Sequence, residues 1–173
     1  MNNTKIKIGV LGGSFDPAHK GHLAISKEAK KRFKLKKVIW AITKKNPFKI
    51  ESKKSVPARI NYCKKIIGKN SFIKVKFYEK IIKSNKTINL INYLKKDKNI
   101  EIYFLMGADN LIHFHKWYKS ELISQKCNIL VFDRHGYKKN SLKSKTFKQL
   151  SKTNLKFIEF NKVNISSSQL RKI

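Results

Sequence analysis

Short apolar runs recur along this chain at intervals filled by lysine-studded helical stretches, and that alternation decides the fold class. Val38–Ile42 (VIWAI), Ile102–Met106 (IYFLM) and Ile129–Phe132 (ILVF) are continuous apolar segments, the pattern of strands buried on both faces. Lys5–Leu11, Phe72–Phe77 and Leu155–Phe160 complete the predicted strands. Between them, His22–Phe33, Val56–Ile67, Ile88–Leu94 and Trp117–Ile123 carry helical composition, with Pro57 in a first turn. A further short helix is expected from Ser168 to the end. Strands separated by helices require crossover connections. The expected fold is therefore α/β, a Rossmann-like sandwich with a mainly parallel sheet. No internal repeat or Gly/Ser linker interrupts it, so residues 1–173 read as a single domain. Lys138–Lys152 is the least apolar stretch and reads as a surface excursion.

The net charge of +31 excludes a cationic partner and favours anions such as nucleotides. Its weight is limited. Only four of the 41 basic residues are arginines (Arg32, Arg59, Arg134 and Arg171). Lysine, isoleucine and asparagine, all with A/T-rich codons, supply over two fifths of the chain. A nucleic-acid binder driven by charge alone predicts Arg-rich, aromatic-interleaved patches, and the sequence has none. Cys63 and Cys127 stand 64 apart without a CxxC or a neighbouring Cys/His pair. That suits reduced thiols in a cytoplasmic protein. No run approaches a membrane span or a secretory leader.

Where the first strand ends, the chain runs Gly12-Gly13-Ser14-Phe15-Asp16-Pro17-Ala18-His19-Lys20-Gly21-His22. Ligands in open α/β sheets bind beyond the carboxyl ends of strands, and this segment lies there. Glycines let backbone amides approach a phosphate, and the next helix offers its positive end. It is neither a Walker loop nor a GxGxxG fingerprint. Its two histidines are three apart and share a face of a helix, from which imidazole N–H groups donate to charge developing on phosphoryl oxygens. A metal pair is the weaker reading, because only Asp16 offers a third ligand and Pro17 intervenes. His113 and His115, two apart, diverge towards the surface. Trp40 reads as core and Asp16 as a loop tie. Asp109 serves as a helix cap or in the site itself.

The segment resembles the GGSFDPxHxGH form of the (T/H)xGH signature found in nicotinate-nucleotide adenylyltransferases, of the nucleotidyltransferase α/β-phosphodiesterase superfamily. Ile165-Ser166-Ser167-Ser168-Gln169-Leu170-Arg171 resembles that family's ISSTxIR motif. Thr43–Lys49 (TKKNPFK) is similar to its PGNPLK loop, matching at Asn46, Pro47 and Lys49 but departing at Lys44 and Lys45. Arg59 falls where relatives have an Arg in the next helix. Thr87 resembles the Thr that opens a helix near the pyridine carboxylate. Met106–Leu111 with Trp117 and Tyr118 is similar to the GADNLxxFxxWxxW/Y block. Arg134-His135-Gly136-Tyr137 resembles RPGY with His for Pro. The resemblance spans residues 5–173. The chain ends two residues after Arg171, short of a C-terminal helix that many relatives carry, which bears on homo-oligomer formation.

The resemblance implies a nucleotidyltransferase that moves AMP from ATP to nicotinate mononucleotide in NAD biosynthesis, releasing pyrophosphate. His19, His22 and Arg171 are then the catalytic candidates. Gly12, Gly13, Ser14, Phe15, His19, His22, Gly107, Asp109, Ile165, Ser166, Ser167 and Arg171 form the ATP side. Asn46, Lys49, Thr87, Trp117, Tyr118 and Arg134 form the acceptor side, and Lys20 is a secondary phosphate contact. No resident metal is implied, and Mg²⁺ travels mainly on ATP. The rival acceptors are nicotinamide mononucleotide and phosphopantetheine. Relatives acting on phosphopantetheine usually have Thr in place of His19 and lack the GADN…W block. ATP and the mononucleotide are the expected partners, with no specific nucleic acid and no membrane.

Overall fold

A computed structural model describes residues 3–46, 48–150 and 154–160. The first half carries β1 (Ile6–Gly13), α1 (Lys20–Phe33), β2 (Lys37–Ile42), α2 (Val56–Ile67) and β3 (Ile73–Lys76). Then come α3 (Glu79–Ile82), α4 (Thr87–Leu94), β4 (Ile100–Gly107) and α5 (Ala108–Leu111). After a 3-10 turn at Phe114–Lys116 follow α6 (Ser120–Lys126), β5 (Asn128–Phe132), α7 (Lys138–Lys143), α8 (Lys145–Leu150) and β6 (Leu155–Ile158).

The strands form one six-stranded sheet in the order β3-β2-β1-β4-β5-β6, and every pairing is parallel. The expected α/β sandwich is the observed fold. Parallel sheets need cover on both faces, and the side-chain alternation supplies it. Ile8, Val10, Ile39, Phe104 and Val131 face one layer, where Ile88 and Ile91 of α4, Leu111 of α5 and Ile123 of α6 pack. Leu11, Trp40, Leu105, Leu130 and Phe132 face the other, against Ala29 of α1 and Cys63 and Ile67 of α2. Gly9 permits the close seat of the α1–β2 connection. A Cβ there would meet Leu35 Cδ1 at 3.0 Å and Val38 Cγ2 at 3.1 Å.

Strand order reverses between β1 and β4, so a crevice opens at their carboxyl ends. Gly13 and Gly107 stand at those ends. This topology brings the segment after β1 and the block after β4 to one place, although they are distant in sequence.

Three expectations need correction. Lys138–Lys152 is no simple excursion: it holds α7 and α8, which bury Ser141, Thr146 and Leu150. Trp117 does not open a helix. It follows the 3-10 turn in extended conformation, and Lys119 at φ 52° delays α6 until Ser120. Gly12 and Gly13 belong to β1 itself, paired with Ala41 and Ile42, and the loop begins at Ser14. The helix expected from Ser168 lies outside the described residues. Among the described residues no helix is long and apolar enough to cross a membrane.

Candidate active site

The turn that starts α1 is closed by its own histidines. His19 is the N-cap, and its Nδ1 accepts from the Gly21 N–H at 3.1 Å. His22, at the third helical position, accepts at Nδ1 from the His19 N–H at 3.2 Å. The pair forms a reciprocal capping box, the arrangement usually made by Ser or Thr with Glu. With both Nδ1 atoms accepting, the hydrogen-bond network assigns the neutral-ring proton to Nε2. Each ring therefore presents an Nε2–H donor, and the ring centroids are 3.9 Å apart.

Both rings are held neutral. Burial, then the positive charges of Arg134 and Lys49, lower the His19 pKa from 6.5 to about 4. His22 is pushed well below 6.5 by burial first, then by His19, Lys49 and Arg134. Behind the rings, Phe15 is buried, stacks on Trp40 (centroids 5.0 Å) and tilts against His22 (4.7 Å). Phe15 holds φ 50°, a left-handed backbone unusual for a bulky residue and tolerated where packing enforces it. Its side chain faces the core, so any ligand contact it makes is through the main chain. Trp40 is core as expected, but its Nε1–H also donates to Ser26 Oγ (2.8 Å), which donates to the His22 carbonyl (2.8 Å).

At the carboxyl ends of β1 and β2 lies a cavity of about 360 Å³, in the size range of roughly 300–1,000 Å³ typical of small-ligand sites; His19 and His22 are not among the residues that line it. Gly12, Gly13, Asn46, Thr87, Trp117 and Tyr118 all line it. Trp117 is half-buried, set edge-on to Phe104 (6.1 Å, 87°) and tilted on Phe114 (5.1 Å). Thr87 opens α4 as expected. Sequence reasoning missed Tyr78, Glu79, Leu90 and Phe104, which are among the other residues of the wall. Lys49 and Arg134, grouped with the acceptor residues from sequence, are not among the lining and instead bear electrostatically on the histidines.

Asp109 Oδ2 binds Arg134 Nη1 at 2.6 Å, and Asp109 Oδ1 lies over Gly107, where a Cβ would come within 2.5 Å of it. Glycine at 107 thus leaves room for the carboxylate that orients Arg134. Asp16, 3% exposed, ties the histidine loop to the lead-in of α2 by accepting from the Lys53 N–H at 2.7 Å. His113 and His115 are exposed. Cys63 and Cys127 are free and buried, and burial pushes both thiols up to about 12, which makes them poor nucleophiles. Among the described residues no three His, Cys, Asp or Glu side chains gather as a metal site. Pro47, Ile165, Ser166, Ser167 and Arg171 lie outside the described residues.

The sequence pattern of the cytidylyltransferase-like family matches residues 10–173. A protein of Pelagibacter ubique (strain HTCC1062), described as a probable nicotinate-nucleotide adenylyltransferase, is 68% identical over 173 residues, covering 100% of this chain and 96% of its own length. One of Aliarcobacter butzleri (strain RM4018) with the same description is 36% identical over 140 residues, covering 80% of this chain and 77% of its own. The solved structure of Plasmodium falciparum nicotinic acid mononucleotide adenylyltransferase complexed with NaAD superposes with a TM-score of 0.79 at 22% identity. It covers 96% of this chain and 82% of that one, a likeness of fold.

Proposed function

Because the chain belongs to the cytidylyltransferase-like family, and there to the nicotinate-nucleotide adenylyltransferases, we propose that it transfers AMP from ATP to nicotinate mononucleotide. The products are deamido-NAD and pyrophosphate, and the reaction is a step of NAD biosynthesis. The observation that carries this reading is the His19–His22 box after the carboxyl end of β1, the strand whose Gly12 and Gly13 line a cavity together with Thr87, Trp117 and Tyr118.

The acceptor phosphate is already ionised near neutral pH, so it needs no protein base. Its oxygen forms the new bond to the α-phosphorus, the bond from that phosphorus to the bridging oxygen breaks, and pyrophosphate leaves with the electron pair. Catalysis is then positioning and charge stabilisation. The Nε2–H groups of His19 and His22 donate to the phosphoryl oxygens as charge builds. Neutral imidazoles suit that task, because they offer a directed donor without losing a proton to the triphosphate. Lys49 and Arg134 supply the fixed positive charge, with Asp109 orienting Arg134. Main-chain groups of Gly12–Phe15 and the Gly107 turn complete the nucleotide side. Ser166, Ser167 and Arg171, with Ile165, are assigned to the outer phosphates on the strength of their motif.

On the acceptor side, Trp117 offers its ring face to the pyridine, with Asn46 and Tyr118 nearby. Thr87 and the first amides of α4 favour a carboxylate at the ring. Mg²⁺ fits as a passenger of ATP, where it neutralises phosphate charge. The carboxylates of Asp16, Glu79 and Asp109 are already engaged by protein donors and do not form a cage. The two buried thiols support a cytoplasmic setting, and the whole chain serves as one nucleotidyltransferase domain. The direct test is product identity. Incubation with ATP and nicotinate mononucleotide should yield deamido-NAD by mass, and its absence would refute the assignment.

A further inference from the structure

Arg59 has no task in the chemistry above, yet it is a guanidinium with only 2% of its surface exposed. Filling that volume with an apolar side chain would avoid the desolvation of a cation. It makes four hydrogen bonds, each to a main-chain carbonyl. Nη1 reaches Ser14 O at 2.7 Å and Thr43 O at 2.9 Å. Nη2 reaches Lys44 O at 3.2 Å, and Nε reaches Lys54 O at 3.1 Å. Burial lowers its pKa, while the charges of Asp16 and Glu79 oppose that shift from a distance.

Those carbonyls belong to two loops. Ser14 lies on the histidine loop between β1 and α1, while Thr43, Lys44 and Lys54 lie at the two ends of the connection from β2 to α2. In a trans peptide the C=O and N–H point to opposite edges. Holding Thr43 O therefore turns the Lys44 N–H away from Arg59, and it meets Glu79 Oε2 at 3.1 Å. Glu79 also accepts from the Thr43 hydroxyl, and Glu79, Thr43 and Asn46 line the cavity. One hydrogen-bonded path thus runs from the histidine loop, through a single guanidinium, to the wall of the acceptor pocket. Asp16 closes it on the other side through the Lys53 and Lys54 N–H groups.

We propose that Arg59 is a positioning residue that registers the nucleotide side of the site against the acceptor side, so that the attacking oxygen and the α-phosphorus meet in line. It touches neither substrate, and the proposal rests on the adenylyl-transfer reading above. A planar fork is needed because one side chain holds the histidine loop and both ends of the β2–α2 connection in fixed directions, which a lysine ammonium cannot reproduce.

The test compares Arg59→Lys, Arg59→Ala and Ile67→Ala. Ile67 is a core residue of the same helix and serves as a stability control. Arg59→Lys should lower kcat by roughly ten- to a hundredfold, the scale of a misregistered reacting pair, and raise KM for both substrates. Ethylguanidinium added to Arg59→Ala should restore turnover, and ethylammonium should not. Ile67→Ala, at a comparable Tm, should keep wild-type kinetic constants below its transition. Wild-type constants in Arg59→Lys, a defect confined to one substrate, equal rescue by both amines, or a parallel loss in Ile67→Ala would each overturn the proposal. Should Arg59→Ala fail to fold, the Arg59→Lys and Ile67→Ala comparison decides alone. Absence of transfer by the wild type would instead mark failure of the underlying reading.

Discussion

The Nδ1 atom of His22 takes its hydrogen bond from the backbone N–H of His19, at 3.2 Å, so the start of the helix and the tautomer of the ring are set by the same contact. His19 does likewise through the Gly21 N–H. Both Nδ1 contacts cap the first turn of α1, which the His22 N–H to His19 carbonyl bond at 3.1 Å also holds. The two Nε2–H groups are thereby fixed in direction before any substrate arrives, which is the preorganisation that makes such donors effective.

His22→Ala is expected to lower kcat by roughly 10²–10³, the usual loss of one preorganised transition-state donor. KM for ATP should change far less, because the donor is aimed at charge that develops during transfer. Steady-state kinetics with varied ATP check this. Near-normal turnover with a raised KM would make His22 a ground-state binder.

Stability should depend on pH through His19. Its folded pKa is about 4 against an ordinary 6.5, so the unfolded chain binds the proton first as pH falls. The contribution is fully present above pH 6.5 and is lost progressively down to about pH 4, at no more than about 1.4 kcal/mol per pH unit. Asn is a good N-cap without a titrating ring. His19→Asn should therefore keep the helix start and show a shallower fall of Tm across that window. An unchanged slope would mean His19 is not held neutral.

Asp109 and Arg134 should act as a unit. Asp109→Ala leaves the guanidinium without its 2.6 Å partner, and each single alanine variant is expected to reduce kcat/KM for ATP by about tenfold. The double variant should be little worse than the worse single, since neighbouring residues that share one contact are not additive. Fully multiplicative losses in a double-mutant cycle would show independent roles.

Trp117→Ala should weaken nicotinate and nicotinamide mononucleotides by a similar factor, on the order of 1–2 kcal/mol from lost aromatic contact. Stacking attracts any pyridine, so the preference for the acid should survive. A preference lost with the indole would move the reading of the ring substituent from the Thr87 region to Trp117.

The sheet was legible because burial on both faces writes itself locally, as apolar runs such as VIWAI and ILVF. The α7 and α8 helices were not, since they bury Ser141 and Thr146 alongside Leu150 and show no apolar stripe. A lysine at positive φ, as at Lys119, leaves no mark that would warn of a late helix start. Spacing revealed the histidine pair, but its use of both Nδ1 atoms depends on backbone geometry. Tyr78, Glu79, Leu90 and Phe104 read as ordinary core or loop residues and become a wall only when the sheet brings them together. The four Arg59 contacts are likewise a product of two loops meeting.

Pyrophosphate release from ATP, followed in parallel with nicotinate mononucleotide, nicotinamide mononucleotide and phosphopantetheine, tests the central claim most directly. The account predicts the highest kcat/KM for nicotinate mononucleotide, a clearly lower value for its nicotinamide analogue, and no turnover with phosphopantetheine. Equal values for the two pyridine nucleotides would contradict the acceptor assignment, and no release with either would contradict the function.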